Sequence, residues 1–353
     1  MNTAAMTRRL QGHGVHLRPH MKTAKSIDVA RLALAGNFGG VTVSTLKEAA
    51  YFLDHGVTDI VYAVCIEPSK LDGAAALADE GAELKVITDN VAVARAVAGH
   101  GGRFEVLIEI DCGEHRTGIS PDDPAVVEIA SILAASKTAS LAGVMTHGGH
   151  SYACRSEAEI KQVAIDERDA AAQTAERLRT SGHDCSIVSV GSTPTATYAD
   201  DLTGITEARP GVFVFYDLFQ LGLGVCTMDN LALSVVASVI SHRRDTRQIL
   251  IDAGGLALSK DRSTGALETD LGFGLVCDGL SGEPIDGLFV AGVHQEHGQI
   301  NVSGDELFDR LPVGAKVRIL PNHACMTAAA YDEYHVIDGG DEVVSKWPRC
   351  NGW

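Results

Sequence analysis

Aromatic residues are scarce in this chain: two Trp, seven Tyr and nine Phe make up 5% of its 353 residues. A core of that length must rest on aliphatic side chains and alanine, which suits helices packed closely on a parallel sheet. Basic residues are few as well, 29 Lys and Arg against 46 Asp and Glu, for a formal charge of −17. With no basic stripe to displace counterions, nucleic acid is excluded as a partner. An anionic ligand would need a local cationic or backbone N–H site. No apolar run reaches the roughly 20 residues of a membrane span, and the start, MNTAAMTRRLQGHG, has no apolar signal core. It reads instead as the tail of an amphipathic helix, with Ala5, Met6 and Leu10 on one side. None of the eight cysteines (Cys65, Cys112, Cys154, Cys185, Cys226, Cys277, Cys325, Cys350) stands in a CxxC pair. They read as reduced, mostly buried thiols of a cytoplasmic protein.

Hydrophobic residues make up 45% and charged residues 21%, an ordinary balance for a globular protein. The length favours two domains. Short apolar runs recur at 15–17, 40–43, 59–64, 84–88, 104–110, 141–146, 186–190 and 205–215, the last interrupted by Pro210 and Gly211. Alanine-rich helical stretches such as 30–34 and 158–179 lie between them, and Thr45 with Glu48 fits a capping box. Eight such units predict a closed (β/α)8 barrel over residues 1–224, with an open doubly wound sheet as the alternative. From residue 225 to 353 the texture changes. Strand-like runs at 231–241, 248–252, 288–292 and 316–320 follow one another without long helices, so this α/β chain should end in a mostly β C-terminal domain.

A barrel of this kind carries its chemistry at the C-terminal ends of the strands. Those ends are dense in polar groups here: Arg18, His20 and Lys22 after the first run, and Asp111, Glu114, His115 and Arg116 after the fifth. His147, His150 and Tyr152 follow the sixth, Ser192 and Thr193 the seventh, and Arg209, Tyr216 and Asp217 line the eighth. Lys22 fits a half-buried pocket, where desolvation would lower its pKa for Schiff-base chemistry, although position alone favours a surface lysine in a loop. Lys25 is expected on the first helix in a structural role. Gly191-Ser192-Thr193 and Gly211-Val212 stand after strands seven and eight, the usual phosphate-binding place of the fold, and also fit an ordinary turn with a helix cap. His323 and Cys325, two apart on an expected extended segment, would point the same way and suit Zn²⁺. His294, Glu296 and His297 form a further polar cluster, of supporting or turn residues.

Taken in order along the chain, RPHMKTAKS (18–26), VTVSTLKEA (41–49), EIDCGEHRTG (109–118), THGGHSY (146–152), SVGSTPT (189–195), RPGVFVFYD (209–217), DAGGLALSKDR (252–262), HQEHG (294–298) and PNHAC (321–325) resemble the fold-type III, alanine-racemase-like pyridoxal-phosphate enzymes. Within that family the likeness is to the branch of D-serine dehydratases, D-threo-3-hydroxyaspartate dehydratases and D-threonine aldolases. The resemblance implies that Lys22 carries pyridoxal 5'-phosphate and moves the Cα proton. It implies that Ser192, Thr193, Gly211, Val212 and Tyr216 hold the phosphate, and that Tyr152, or alternatively Arg209, faces the pyridine nitrogen. Arg116 would lie near the ring and its 3-oxygen. His323 and Cys325 would bind a divalent metal, Zn or else Mn, Co or Mg. The His-x-Cys pattern points to a dehydratase acting on D-serine, D-threonine or D-threo-3-hydroxyaspartate, where aldolases often show His-x-Asp. An aldolase, a racemase and a non-catalytic cofactor carrier are the alternatives. The racemase is the weaker because DAGGLALSKDR stands where its catalytic tyrosine segment would be, and carriers normally lack a β domain. The family is usually dimeric. Its members also carry a further strand upstream of MTRRLQGHG, whose absence from this sequence would leave a sheet edge of the second domain exposed.

Overall fold

A computed structural model describes residues 1–352. The chain divides into two compact units, Met1–Phe213 and Val214–Asn351. The division falls earlier than the expected 224/225, because residues just past it hydrogen-bond forward. The Leu218 N–H donates to Pro321 O at 3.1 Å, and Asp217 accepts from the Ala324 N–H at 2.9 Å.

Eight parallel strands build the first unit: β1 (His16–Leu17), β2 (Val41–Val43), β3 (Asp59–Cys65), β4 (Glu83–Thr88), β5 (Phe104–Ile110), β6 (Ala139–Thr146), β7 (Ile187–Val190) and β8 (Glu207–Ala208). They pair in the order β1-β8-β7-β6-β5-β4-β3-β2. The seam between β1 and β2 is held by one parallel bridge, His20 to Thr42, with the Met21 N–H to Thr42 O at 2.8 Å and the Thr42 N–H to Pro19 O at 3.0 Å. This is the curled sheet of the expected α/β barrel. The eighth run contributes only two strand residues, because Pro210 has no N–H to give and the chain turns into a 3₁₀ segment at Val212–Val214.

Near the strand starts the interior is ionic. Buried Arg18 donates to Asp59 at 2.9 and 3.0 Å and to Glu207 at 2.7 Å, and Lys85 reaches Asp59 at 3.0 Å. Higher up, Val61, Ile87, Leu107, Ala142 and Met145 fill the space. The long helix Glu157–Thr180 starts under a Ser156 cap and packs Ile160, Val163, Ala171, Ala175 and Leu178 inward. The first helix, Asn2–Gly12, buries Met6, Thr7 and Leu10, so Thr7 takes the buried place expected of Ala5. The Thr45 hydroxyl accepts the Glu48 N–H at 3.0 Å, but the Glu48 carboxylate turns to the Ser44 N–H and to Lys25, giving half of the expected box. Lys25 itself precedes the helix Ile27–Leu34, in a left-handed conformation at φ 47°.

In the second unit β9 (Val235–Arg243), β10 (Gln248–Ile251), β11 (Leu275–Asp278), β12 (Pro284–Val293), β13 (Gly298–Asn301) and β14 (Lys316–Leu320) close into an antiparallel barrel, and β15 (Glu333–Ile337) pairs with β16 (Val343–Pro348). Every barrel strand has two neighbours, so the barrel itself has no open edge, whereas β15 and β16 pair only with each other. Ile249, Ile251, Val276, Val290, Ile300, Val317 and Ile319 meet inside it with no exposed surface. Cutting one such isoleucine to alanine costs about 2–5 kcal/mol.

All eight cysteines are free; Cys185, Cys277 and Cys350 are buried and the other five are half-buried, fewer buried than expected. No helix among the described residues is long and apolar enough to cross a membrane.

Candidate active site

Lys22 stands just past the β1–β2 bridge, at the rim where the strand ends converge. Its side chain is exposed, not half-buried as expected, because it belongs to the turn that follows the bridge. The groups around it set its chemistry. His20 and His147 are both pushed below the ordinary imidazole range, first by burial and next by the positive charge of Lys22, His147 to about 3. Both rings are therefore neutral at physiological pH. His147 Nδ1 meets Gly191 O, which makes that nitrogen the donor and leaves Nε2 as an acceptor. Arg209 and Arg116 also press on the His147 ring, so the structure gathers Lys22, His20, His147, Arg116 and Arg209 into one field. Arg116 is exposed, 3.5 Å from Glu114. Arg209 is buried, and its terminal nitrogens already donate to Ser189 Oγ at 2.5 Å, Val190 O at 3.2 Å and Thr146 O at 2.6 Å. Tyr152 is half-buried in the 3₁₀ segment Gly149–Ala153 that follows β6.

The loop after β7 is a helix cap and more. Ser192 caps the short helix Thr193–Tyr198 through a reciprocal box with Thr195, and its hydroxyl lies 2.9 Å from that of Ser151. Thr193 Oγ1, by contrast, is buried with no hydrogen-bond partner. A lone buried hydroxyl is costly unless a ligand meets it. Gly191 has φ 148°, and a Cβ there would sit 2.5 Å from Arg209 N. At Gly211 a Cβ would come 3.1 Å from His20 O, beside buried Val212. Two strand-end loops thus expose backbone to one another at close range. Glu167, from the helix Glu157–Thr180, lies behind them and accepts N–H bonds from Gly148 at 2.5 Å and Gly191 at 3.0 Å. The sequence reading missed Glu167, because nothing local marks a mid-helix glutamate as buried. Tyr216 lies in the second unit, buried, with its backbone at φ 50°.

Among the described residues, the one group of three potential metal ligands whose donor atoms all lie within 4.8 Å is Cys65, Asp89 and Glu109. It is satisfied internally: Cys65 Sγ donates to Glu109 at 3.0 Å, and Asp89 accepts the Gly118 N–H at 2.9 Å.

The second unit holds the His-x-Cys pair. It does not lie on an extended segment as expected. His323 is the extended N-cap (φ −137°, ψ 101°) of the helix Ala324–Ala328, and Cys325 is on its first turn. The pair still converges, since the imidazole bonds to the Cys325 side chain as well as to Asp261 Oδ2, the latter at 2.8 Å. Burial opposes charge on His323, but the bonds to Asp261 and Cys325 outweigh it and lift its pKa to about 10. Asp261 is held down at about 2, chiefly by the bond to His323. Asp217, buried, accepts the N–H groups of Gln220 at 3.0 Å and Ala324 at 2.9 Å, and burial raises it to about 6. The imidazole and the thiol are a pair of donors that suits a borderline metal such as zinc, with the Asp261 carboxylate bonded to the back of the imidazole. His294, Glu296 and His297 occupy the turn between β12 and β13, where the His294 N–H donates to His297 O at 2.8 Å.

Comparison with known proteins bears out the fold and gives the family. Residues 1–218 match the alanine racemase N-terminal domain, and residues 232–337 match a serine dehydratase domain. The chain is 44% identical over 361 residues to D-threo-3-hydroxyaspartate dehydratase of Delftia sp., covering all of this chain and 94% of the relative. It is 30% identical to D-serine dehydratase of Dictyostelium discoideum, again over all of this chain and 94% of the relative. Solved structures of D-threo-3-hydroxyaspartate dehydratase, one from Delftia sp. and one a mutant in the metal-free form, superpose with a TM-score of 0.96 at 43% identity, over all of this chain and 94% of theirs. The chain therefore belongs to the alanine-racemase-like family of fold-type III pyridoxal-phosphate enzymes, in the group that joins the racemase N-terminal domain to a serine dehydratase domain.

Proposed function

We propose that this protein is a pyridoxal-phosphate- and divalent-metal-dependent dehydratase. It would convert a small D-3-hydroxy amino acid (D-serine, D-threonine or D-threo-3-hydroxyaspartate) to a 2-oxo acid and ammonia, as a cytoplasmic homodimer. The observation that carries the reading is the imidazole–thiol pair His323 and Cys325, in a chain whose Lys22 stands among neutral imidazoles.

The residues fit both groups. Thr193 Oγ1, buried and unpartnered, suits a phosphate oxygen, and Ser192, Gly211 and Val212 would complete that end. Lys22 would hold the cofactor, Tyr152 or Arg209 would face its ring nitrogen, and Arg116 its 3-oxygen. His323 and Cys325 would hold the metal, zinc before manganese, cobalt or magnesium. When bound, pyridoxal phosphate supplies an electron sink at Cα and the divalent ion a Lewis acid for a departing hydroxide. Lys22, once neutral, takes the α-proton from one face of the substrate, which sets the preference for D-amino acids. His147, locked by Gly191 O as the Nδ1–H tautomer, offers Nε2 only as an acceptor. It therefore orients a donor and does not compete with Lys22 as a charged acid.

The test is 2-oxo acid release from D-serine and D-threo-3-hydroxyaspartate, each with and without a chelator. Pyruvate or oxaloacetate that disappears on chelation and returns with zinc is the expected result. Glycine and an aldehyde in their place would make the protein an aldolase. Full activity after exhaustive metal removal would end the metal part of the proposal.

A further inference from the structure

His323 and its neighbour Asn322 are tied to one turn of the chain from two directions. The His323 Nδ1 lies 2.8 Å from Asp261 Oδ2, and the Asn322 side-chain amide donates to the backbone oxygen of Asp261 at 3.2 Å and to Gly272 O at 2.6 Å. Asn322 is buried, and its own oxygen accepts from the Thr264 hydroxyl at 3.1 Å. The turn is fixed in its own right. The Ser259 hydroxyl accepts the Asp261 N–H at 2.9 Å, and Asp261 Oδ1 accepts the Ser263 N–H at 2.8 Å. Asp261 thus has one carboxylate oxygen committed to its own turn and the other to the imidazole. A residue held at its backbone and at both carboxylate oxygens does not swing to follow its partner.

From this geometry we infer that Asp261 is a positioning residue for the metal centre: it holds the Nδ1–H of His323, so that Nε2 is the nitrogen that would lose its proton to the ion. The inference rests on the reading of His323 and Cys325 as metal ligands and adds the group that orients them. A carboxylate behind a metal-bound histidine keeps the ring from rotating, fixes which nitrogen is free, and makes that nitrogen a better donor. Without it, the half-buried ring samples other orientations and tautomers, and the ion must select the competent one. Asp217 does the corresponding work on the main chain, by holding the Ala324 N–H between the two ligands.

The experiment is a cobalt titration of the pyridoxal-phosphate-loaded protein stripped of metal, in the native chain and in Asp261→Asn and Asp261→Ala. Cobalt bound by Cys325 gives a thiolate charge-transfer band, which reports affinity and ligand set together without reference to turnover. The native chain should show the band. In Asp261→Asn the same band should appear at saturation, with affinity about 10–100-fold weaker, and Asp261→Ala should be weaker again. Thermal unfolding of the metal-free proteins, unchanged by Asp261→Asn, ties the loss to the centre and not to the fold. Affinity in Asp261→Asn within twofold of native overturns the inference. So does a saturated spectrum of altered shape, which would make Asp261 a ligand itself. Absence of the band from the native chain overturns the inference along with the metal reading, and is distinguished from the other two by that control.

Discussion

Glu167 accepts the Gly191 N–H at 3.0 Å from the helix that connects β6 to β7, and with the same oxygen it takes the Gly148 N–H at 2.5 Å. One buried carboxylate therefore pins the loops that follow β6 and β7, and those loops carry Tyr152, Ser192 and Thr193. Burial raises its pKa and the backbone bonds oppose the rise. Glu167→Ala leaves two buried N–H groups without partners, each costing about 1–3 kcal/mol. Urea unfolding of Glu167→Ala should show a loss of about 2–5 kcal/mol, with Glu167→Gln losing less because its oxygen still accepts. Pyridoxal-phosphate affinity should fall in the same order. An unchanged unfolding midpoint in Glu167→Ala would mean that the two loops are held by something else.

The ion cluster under the barrel gives a pH dependence of known sign. Burial works against a charged Asp59, but Arg18 and Lys85 outweigh it and hold the carboxyl below its ordinary range. A group with a depressed folded pKa contributes stability that is full above its unfolded value, near 4, and is lost as pH falls through the folded value. Asp59→Asn should cost about 1 kcal/mol at pH 7. The gap in melting temperature between native and variant should close below about pH 4. A gap of constant size down to pH 3 would show that Asp59 acts by packing and not by charge.

What the sequence discloses and what it hides follow one physical rule. Strands β3 to β6 are near-continuous apolar runs because both of their faces are buried, and such runs are visible without a structure. β11 and β13 are four residues each and bounded by glycine or polar turns, so no periodicity announces them. Lys22, His323 and Cys325 can be singled out as candidates because they sit in compact local patterns. Asp261 and Glu167 are not. The first meets its partner 62 positions away and the second reaches across 24 and 19, and only folding sets those distances. The extended form expected for His-x-Cys failed for a related reason: the Ala324 N–H bonds to Asp217, 107 positions upstream, and a helical turn starts there.

The neutral imidazoles set a second pH dependence, closer to neutrality. His20 and His147 are both depressed in the folded chain, by burial first and Lys22 next. The unfolded chain binds protons on both rings below about pH 6.5, and the folded chain does not. Stability should therefore decline as pH falls from about 7 to 5, and His147→Gln should flatten part of that slope. In the native protein the His147 ring nitrogens, followed by ¹⁵N NMR, should show the Nδ1–H form throughout this range. A ring that titrates near pH 6.5 would place His147 in water and remove it from the field of Lys22.

Changing the thiol to a carboxylate tests whether Cys325 sets the choice of metal. Thiolate favours zinc, whereas a carboxylate beside His323 gives a harder site that favours manganese and magnesium. Cys325→Asp keeps a charged ligand on the same helical turn and leaves the Asp261–His323 contact in place. Zinc affinity should fall by at least about tenfold, while manganese affinity is held or improved. The readout is competitive metal binding, followed by product analysis with each ion. If 2-oxo acid is still formed with manganese, the thiol tunes the metal and does not define the reaction. If the variant with manganese yields glycine and an aldehyde from a D-3-hydroxy amino acid, this one ligand decides which bond is broken. A variant with native zinc preference would show that Cys325 is not a ligand, and the metal would then have to be sought elsewhere around His323.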